Sequence, residues 1–141
     1  MEITITIKLD EKELERFKSE KSEREVKIPS TYARFFDETS NDWDNDPEYN
    51  YMFLTTMQRW ANDMLRSRGY LFLNEVYKTL GLVETQAGQI VGWVYDTNNP
   101  FIDNFVDFGL PKGSRKKVIK EFEKPILLDF NVDGVILDKV L

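Results

Sequence analysis

Regularly spaced carboxylates are the residues of this chain best suited to chemistry. Asp129, Asn131 and Asp133, followed by Gly134, match the first positions of a calcium loop of the EF-hand type. Such a loop needs a bidentate acid at its twelfth position, where this chain has Val140. The flanking residues alternate as strands do, whereas an EF-hand has helices on both sides. The pattern therefore favours a β-hairpin that turns at Asp133-Gly134 over a calcium site.

The predicted hairpin carries the one metal suggestion in the sequence. Its register places Asp129 opposite Asp138, and two facing carboxylates repel unless a cation bridges them, water solvates them or the register shifts. A cation-dependent hydrolase that uses this pair is accordingly one functional alternative.

A second acidic run lies between residues 36 and 51. Asp42, Asp44 and Asp46 repeat the spacing of a calcium loop, but Pro47 takes the glycine position and Phe53 that of the final acid. Proline together with the Asn and Ser content predicts a loop. Two interpretations remain open. The loop keeps the protein soluble, or its carboxylates imitate phosphate charge towards a basic partner surface.

The second interpretation defines a candidate partner-binding set. It combines the carboxylates of the loop with three aromatic side chains that would serve as interface anchors. Its members are Asp37, Glu38, Asp42, Trp43, Asp44, Asp46, Glu48, Tyr49 and Tyr51.

The chain contains no histidine and no cysteine. This removes the commonest general base at neutral pH, the commonest zinc ligands and the Ser/His and Cys/His nucleophile arrangements. Carboxylates remain as acid–base candidates, although their spacing selects no pair. They are Glu75, Asp103, Asp107, Asp129 and Asp138. The sequence therefore favours a non-enzymatic protein with no cofactor and no metal.

The formal net charge of -6 argues against a nucleic-acid backbone or an anionic bilayer as the main partner. Residues 73–94 suggest a helix-turn-helix, but its second helix offers no cation to contact phosphates. The basic stretch 112–120 is a solvated surface, a contact for the acidic loop of a second copy, or a local contact to nucleic acid. With no signal peptide or membrane span evident, a cytoplasmic protein is expected.

Hydrophobic periodicity predicts a single α+β domain over residues 1–141. Residues 1–50 comprise an N-terminal strand and helix, a second strand and the acidic loop, and residues 51–141 form a core of helices and hairpins. The predicted helices cover 11–20, 51–68, 71–80 and 84–91. The predicted strands cover 1–9, 24–29, 93–95, 105–108, 126–132 and 135–141.

Five stretches carry a resemblance to a known family. They are residues 59–65 (RWANDML), 69–77 (GYLFLNEVY), 92–96 (GWVYD), 104–109 (NFVDFG) and 126–134 (ILLDFNVDG). Together they resemble a family of small uncharacterised proteins from phages and mobile elements of Gram-positive bacteria, over the C-terminal two-thirds of the chain. The family carries no assigned activity, so the resemblance implies only a context, a small intracellular protein made from a phage or integrated element.

In that context, the acidic loop predicts a protein that disables a host nucleic-acid-handling complex, such as a CRISPR nuclease, by occupying its basic DNA channel. The expected partner is a basic host protein, with no direct contact to nucleic acid or membrane. The main alternative is a phage structural or assembly accessory protein that forms homo-oligomers through its hairpins.

Overall fold

The computed structural model describes residues 28–141, which form an α+β fold, so the predicted class is confirmed. Its helices are α1 (Pro47–Arg68), α2 (Leu73–Thr79), α3 (Arg115–Glu121) and α4 (Leu137–Val140), with a 3-10 turn at Ala87–Gln89. Its strands are β1 (Arg34–Phe36), β2 (Tyr70–Phe72), β3 (Val91–Val94), β4 (Ile126–Leu128) and β5 (Gly134–Val135). The predicted strand over 1–9 and helix over 11–20, and the predicted strand over 24–29 as far as residue 27, lie outside the described residues.

The long helix α1 begins and ends where local sequence directs it. Asp46 is the N-cap, and its Oδ1 accepts a hydrogen bond from the Glu48 N–H at 3.0 Å. Gly69 ends the helix in the left-handed conformation, with φ 90°. The predicted helix over 51–68 is confirmed. The interpretation of Pro47 as a loop residue is wrong, because proline is well tolerated in the first turn of a helix, where its N–H is not needed.

A three-stranded antiparallel sheet in the order β2-β3-β5 follows α1. Leu71, predicted to begin a helix, instead lies in β2 opposite Trp93 of β3. The helix α2 starts at Leu73, and the Glu75 carboxylate reaches back to accept the Phe72 N–H at 2.8 Å. The predicted helix over 71–80 is therefore confirmed from Leu73 to Thr79, whereas Leu71 and Phe72 belong to β2 and pair with β3.

The helix predicted over 84–91 is wrong beyond the single 3-10 turn at Ala87–Gln89. The Asn74 side chain accepts the Thr85 N–H at 2.9 Å and donates to the Thr85 carbonyl at 2.8 Å. This pair of bonds folds the segment back onto α2. Without a second helix at this point, the helix-turn-helix arrangement is not formed.

The predicted C-terminal hairpin is also wrong, because its two arms pair with different strands. β4 pairs with β1 in a separate two-stranded antiparallel sheet, whereas β5 pairs with β3. The residues after β5 form the short helix α4 instead of a strand.

Two acidic residues of the predicted hairpin accept hydrogen bonds from separate parts of the backbone. The Asp129 Oδ1 accepts the Ser30 N–H at 3.1 Å, and the Asp133 Oδ2 accepts the Val94 N–H at 3.0 Å. Because β4 and β5 do not pair with each other, the register that would place Asp129 opposite Asp138 is wrong.

The predicted strands around residue 100 are confirmed only in part. β3 covers most of the first, whereas residues 105–108 form no assigned strand. Asp107 and Phe108 each accept one backbone hydrogen bond from the segment that follows β4. The rest of their backbone is bound by side chains, described below.

The hydrophobic core of the described residues lies between α1, α2 and the two sheets. Its fully buried side chains include Phe36, Leu54, Ala61, Leu65, Leu71, Tyr77, Trp93, Phe122 and Leu128. Because Phe36 belongs to this core, the core extends upstream of residue 51. Among residues 28–141, no helix combines the length and the apolar composition needed to cross a membrane.

Candidate binding surfaces

The acidic segment, defined here as residues 37–48, opens with a tight turn built by Asp37. The Asp37 Oδ1 accepts hydrogen bonds from the Thr39 hydroxyl at 2.5 Å and from the Thr39 N–H at 2.9 Å. Both bonds lower the pKa of Asp37 from its ordinary value, and the bond from the Thr39 hydroxyl has the larger effect. The buried Ser40 hydroxyl accepts the Asp37 N–H at 3.2 Å. Asp37 therefore orders the turn and remains negatively charged.

The other end of the acidic segment is attached to α1 by Asn50. This side chain is fully buried, accepts the Asp44 N–H at 2.9 Å and donates to the Asp44 carbonyl at 2.7 Å. The Asp44 Oδ1 in turn accepts the Asp46 N–H at 2.8 Å. Asp44 and Asp46 thus shape the backbone through one oxygen each. The other oxygen of each carboxylate accepts no hydrogen bond from the described residues.

Glu38 and Asp42 lie within the same segment, but their carboxylates do not bind its backbone. Among residues 28–141, neither carboxylate accepts a hydrogen bond or joins an ion pair. Glu38 is exposed and Asp42 is half-buried. These two side chains can be changed without removing a contact that orders the segment.

The three aromatic candidates differ in their packing and in their exposure to solvent. Trp43 packs on the core with its ring 5.6 Å from that of Phe36, and Tyr51 packs edge-on against Phe122 at 5.6 Å. Tyr49 is 45 % exposed. Trp43 and Tyr51 thus support the fold, whereas Tyr49 offers the largest accessible aromatic surface of the three.

The acidic segment meets the basic helix α3 at one ion pair. The Glu48 Oε1 lies 2.9 Å from the Arg115 Nη2, and both side chains are more than half exposed. The Arg115 guanidinium also lies 5.4 Å from the centre of the Tyr51 ring. The sequence placed a basic stretch at 112–120, and folding brings its first arginine beside the start of α1.

Sequence reasoning missed a set of amide side chains that hold residues 105–108. The Asn62 Nδ2 donates to the Val106 carbonyl at 3.0 Å, and its Oδ1 accepts the Val106 N–H at 2.8 Å. The Gln58 Oε1 accepts the Phe108 N–H at 2.9 Å. A signal was present, because both amides lie one turn apart beside the buried Leu54, Ala61 and Leu65 of α1.

Asn131 completes this arrangement from the C-terminal side. Its Oδ1 accepts the Trp93 indole N–H at 2.9 Å and the Asp107 N–H at 2.7 Å. Its Nδ2 donates to the Phe105 carbonyl at 2.9 Å and to the Asp103 Oδ2 at 3.0 Å. All four hydrogen-bonding positions of this amide are therefore used.

Asp133 lies close to this cluster, and the pKa of its carboxyl is shifted. Burial raises the pKa of its carboxyl from the ordinary 3.8, the Val94 N–H opposes that rise, and the nearby Asp103 charge reinforces it. In the part of the chain that the structure describes, no three acidic side chains come together in a way that could hold a metal ion.

Comparison with models of protein families gives a match. The model of a family described as a family of unknown function, DUF6353, matches residues 4–140. The chain belongs to this family. The DUF6353 match extends beyond the C-terminal two-thirds noted from the sequence and includes the acidic segment. Neither the comparison with curated proteins nor that with solved structures gives a match.

Proposed function

We propose that this DUF6353 protein is a non-enzymatic binding protein whose acidic segment docks on a basic surface of a partner protein. One observation carries the proposal. Asp37, Asp44 and Asp46 order the backbone of the segment that bears them. Negative charges are then held at fixed positions, so a partner does not bear the entropic cost of ordering a flexible loop.

The accessible groups suit electrostatic docking with one aromatic anchor. Glu38 and Asp42 contribute charge and form no hydrogen bond or ion pair with the described residues, and Tyr49, seven positions after Asp42, adds a half-exposed ring. Charge complementarity of this kind accelerates association and selects partners, while a buried aromatic side chain supplies much of the binding energy.

The resemblance to proteins of phages and mobile elements suggests the class of partner. A host nucleic-acid-handling complex, such as a CRISPR nuclease, has a basic channel that normally receives phosphates. Ordered carboxylates can occupy such a channel by imitating phosphate charge. In this proposal the protein acts inside the host cell as an inhibitor by DNA mimicry.

Capture from host lysate tests the proposal. Tagged wild-type protein is compared with Glu38→Gln/Asp42→Asn/Tyr49→Ala in nuclease-treated lysate, and bound proteins are identified by mass spectrometry. The expected result is one basic nucleic-acid-handling protein that the wild type retains at physiological salt and the variant loses. Because screening weakens surface charge pairs, retention should also fall as salt rises.

A matched variant controls for total charge. Glu121→Gln/Glu123→Gln removes two exposed carboxylates near the end of α3 that form no described hydrogen bond or ion pair. It should capture the partner as the wild type does. If the acidic-segment variant and this control behave alike, the segment is not the docking surface.

A self-associating assembly protein is the second candidate, favoured by one exposed side chain. Phe101 is 93 % exposed. The loop that bears it is closed by Asn104, which accepts the Asp96 N–H at 2.7 Å and donates to the Asp96 carbonyl at 3.1 Å. In this interpretation Phe101→Ser abolishes concentration-dependent oligomers in sedimentation, whereas the acidic-segment variant leaves them intact.

A further inference from the structure

Two adjoining hollows form one groove along α1. They have volumes of about 460 and 580 Å³. Thr55, Gln58, Asp107 and Lys112 line both. The groove is bounded by α1 on one side and by residues 105–118 on the other. Cavities of this size lie in the range that binds small organic molecules.

Hydrogen bonds between the two walls fix the shape of the groove in the absence of a ligand. Gln58 and Asn62 project from α1 and bind the backbone of Val106 and Phe108 across the groove. Thr55, Arg59, Asn62 and Arg66 follow one another at spacings of four, three and four residues. They therefore share one stripe of α1 over roughly 16 Å.

Positive charge dominates the lining. Four cationic side chains border the groove: Arg59, Arg66, Lys112 and Arg115. Among the described residues, the one acidic side chain in the lining is Asp107, whose Oδ1 accepts the Gly109 N–H at 2.8 Å. The whole chain has a net charge of -6, so this local excess of cations is opposite in sign to the overall charge.

In the part of the chain that the structure describes, two of these cations form an ion pair and two do not. Arg66 pairs with Asp63 at 2.7 Å, and Arg115 pairs with Glu48, in both cases on the exposed surface. Within residues 28–141, neither Arg59 nor Lys112 forms an ion pair. They border the same hollow from opposite walls, so an anion bound in that hollow would be attracted by both.

We propose that this groove binds a phosphate ester of mononucleotide size. A phosphate dianion matches Arg59 and Lys112, since guanidinium donates bidentately to phosphate and ammonium adds a point charge. In a largely apolar lining, the Thr55 hydroxyl and the Gln58 amide supply polar groups that can hydrogen-bond a sugar-like body. The Phe105 ring, 47 % exposed at one end of the groove, offers a face on which a base can stack. The inference does not rest on the proposed function.

Titration of isotope-labelled protein with adenosine 5′-monophosphate, followed by NMR, tests the proposal. We expect saturable shifts of the backbone amides of residues 55–66 and 105–113. Inorganic phosphate should bind more weakly and adenosine should not bind, because the phosphate supplies the charge and the nucleoside supplies the remaining contacts. The variant Arg59→Gln/Lys112→Gln should lose about tenfold or more in affinity.

A charge-matched variant makes the test specific. Lys116→Gln/Lys117→Gln removes two exposed cations of α3 that do not line the groove, and it should bind within about twofold of the wild type. Equal losses in the two variants would overturn the proposal in favour of a diffuse charge effect. It would also be overturned by an absence of saturable shifts, by equal binding of inorganic phosphate and the nucleotide, or by binding of a short oligonucleotide alone.

Discussion

Asn62 pairs with Val106 as one strand residue pairs with another. Its amide donates to the Val106 carbonyl at 3.0 Å and accepts the Val106 N–H at 2.8 Å. A helix side chain thereby supplies both bonds that a neighbouring strand would have supplied. Val106 itself is almost fully buried. This relationship explains how Val106 is held inside the molecule without being part of a sheet, and it yields the first prediction.

Replacing Asn62 by alanine should lower the free energy of unfolding by about 2–3 kcal/mol, because a backbone N–H and a carbonyl lose their partners at a buried residue. Urea denaturation measures the change. Asn98→Ala serves as the control, since its exposed side chain makes no described hydrogen bond. It should alter stability by less than about 0.5 kcal/mol. An equally small effect at Asn62 would show that Val106 finds other partners.

The polarity of the Asn131–Asp103 contact provides a second prediction. Asn131→Asp removes the donors to the Phe105 carbonyl and to Asp103, and it sets two carboxylates side by side. We expect a loss of about 2 kcal/mol or more at pH 7. Adding Asp103→Asn restores one donor–acceptor pair with its direction reversed, so the double variant should recover part of the loss. A double variant less stable than Asn131→Asp alone would contradict this account.

Gly92 is the position where a side chain is least tolerated in the sheet. A Cβ there would overlap the Leu71 carbonyl oxygen and come within 2.8 Å of the Phe72 Cα, both in the backbone of β2. Gly92→Ala should therefore cost about 3 kcal/mol or more, because β2 and β3 must separate. Thermal unfolding followed by circular dichroism measures the loss.

Gly69 supplies the comparison for that variant. A Cβ at Gly69 meets nothing within 4 Å, but its φ of 90° is unfavourable for other residues. Gly69→Ala should cost only about 1 kcal/mol, which is the strain of the left-handed conformation. Equal losses at Gly92 and Gly69 would indicate that the strands shift readily to accept a methyl group.

The raised pKa of Asp133 predicts that the stability of the protein depends on pH. Burial raises the pKa of its carboxyl in the folded protein above the ordinary 3.8, so folding favours the protonated form. That contribution is fully present below the unfolded pKa and is lost as the pH rises through the folded pKa. Asp133→Asn does not ionise and keeps an oxygen to accept the Val94 N–H. The variant should therefore be more stable than the wild type at pH 7.

The stability difference between Asp133→Asn and the wild type should shrink as the pH falls through the raised pKa of the folded state and should vanish below the ordinary value of 3.8. Urea denaturation at a series of pH values measures it. Asp138→Asn removes the same charge from an exposed position and should not gain stability at pH 7. A difference at Asp133 that stays constant with pH would show that its ionisation is not the cause.

Much of the helical structure could be read from local residues, and little of the strand pairing could. The N-cap at Asp46 and the glycine at 69 act on their immediate neighbours, so the extent of α1 follows from adjacent sequence once Pro47 is placed in the first turn. Leu71 shows the limit of such reasoning. It fits the apolar pattern of a helix, and only the proximity of Trp93 in β3 makes it a strand residue.

The candidate sites divide in the same way. The acidic residues 37–48 stand out by composition, but the part each plays depends on neighbours such as Asn50 and Arg115. The basic groove could not be read from the sequence at all. Arg59 and Lys112 are 53 positions apart in the chain, and the amides of Gln58 and Asn62 bring the two walls together.

The sequence by itself determined the α+β class, the long helix α1 and a chemistry without histidine or cysteine, because these depend on composition and on contacts within a few residues. Only the tertiary structure decided that β4 pairs with β1 and β5 with β3. Strands of two or three residues carry too little pattern to select a partner. Their pairing is instead fixed by which edges the packed core brings within hydrogen-bonding distance.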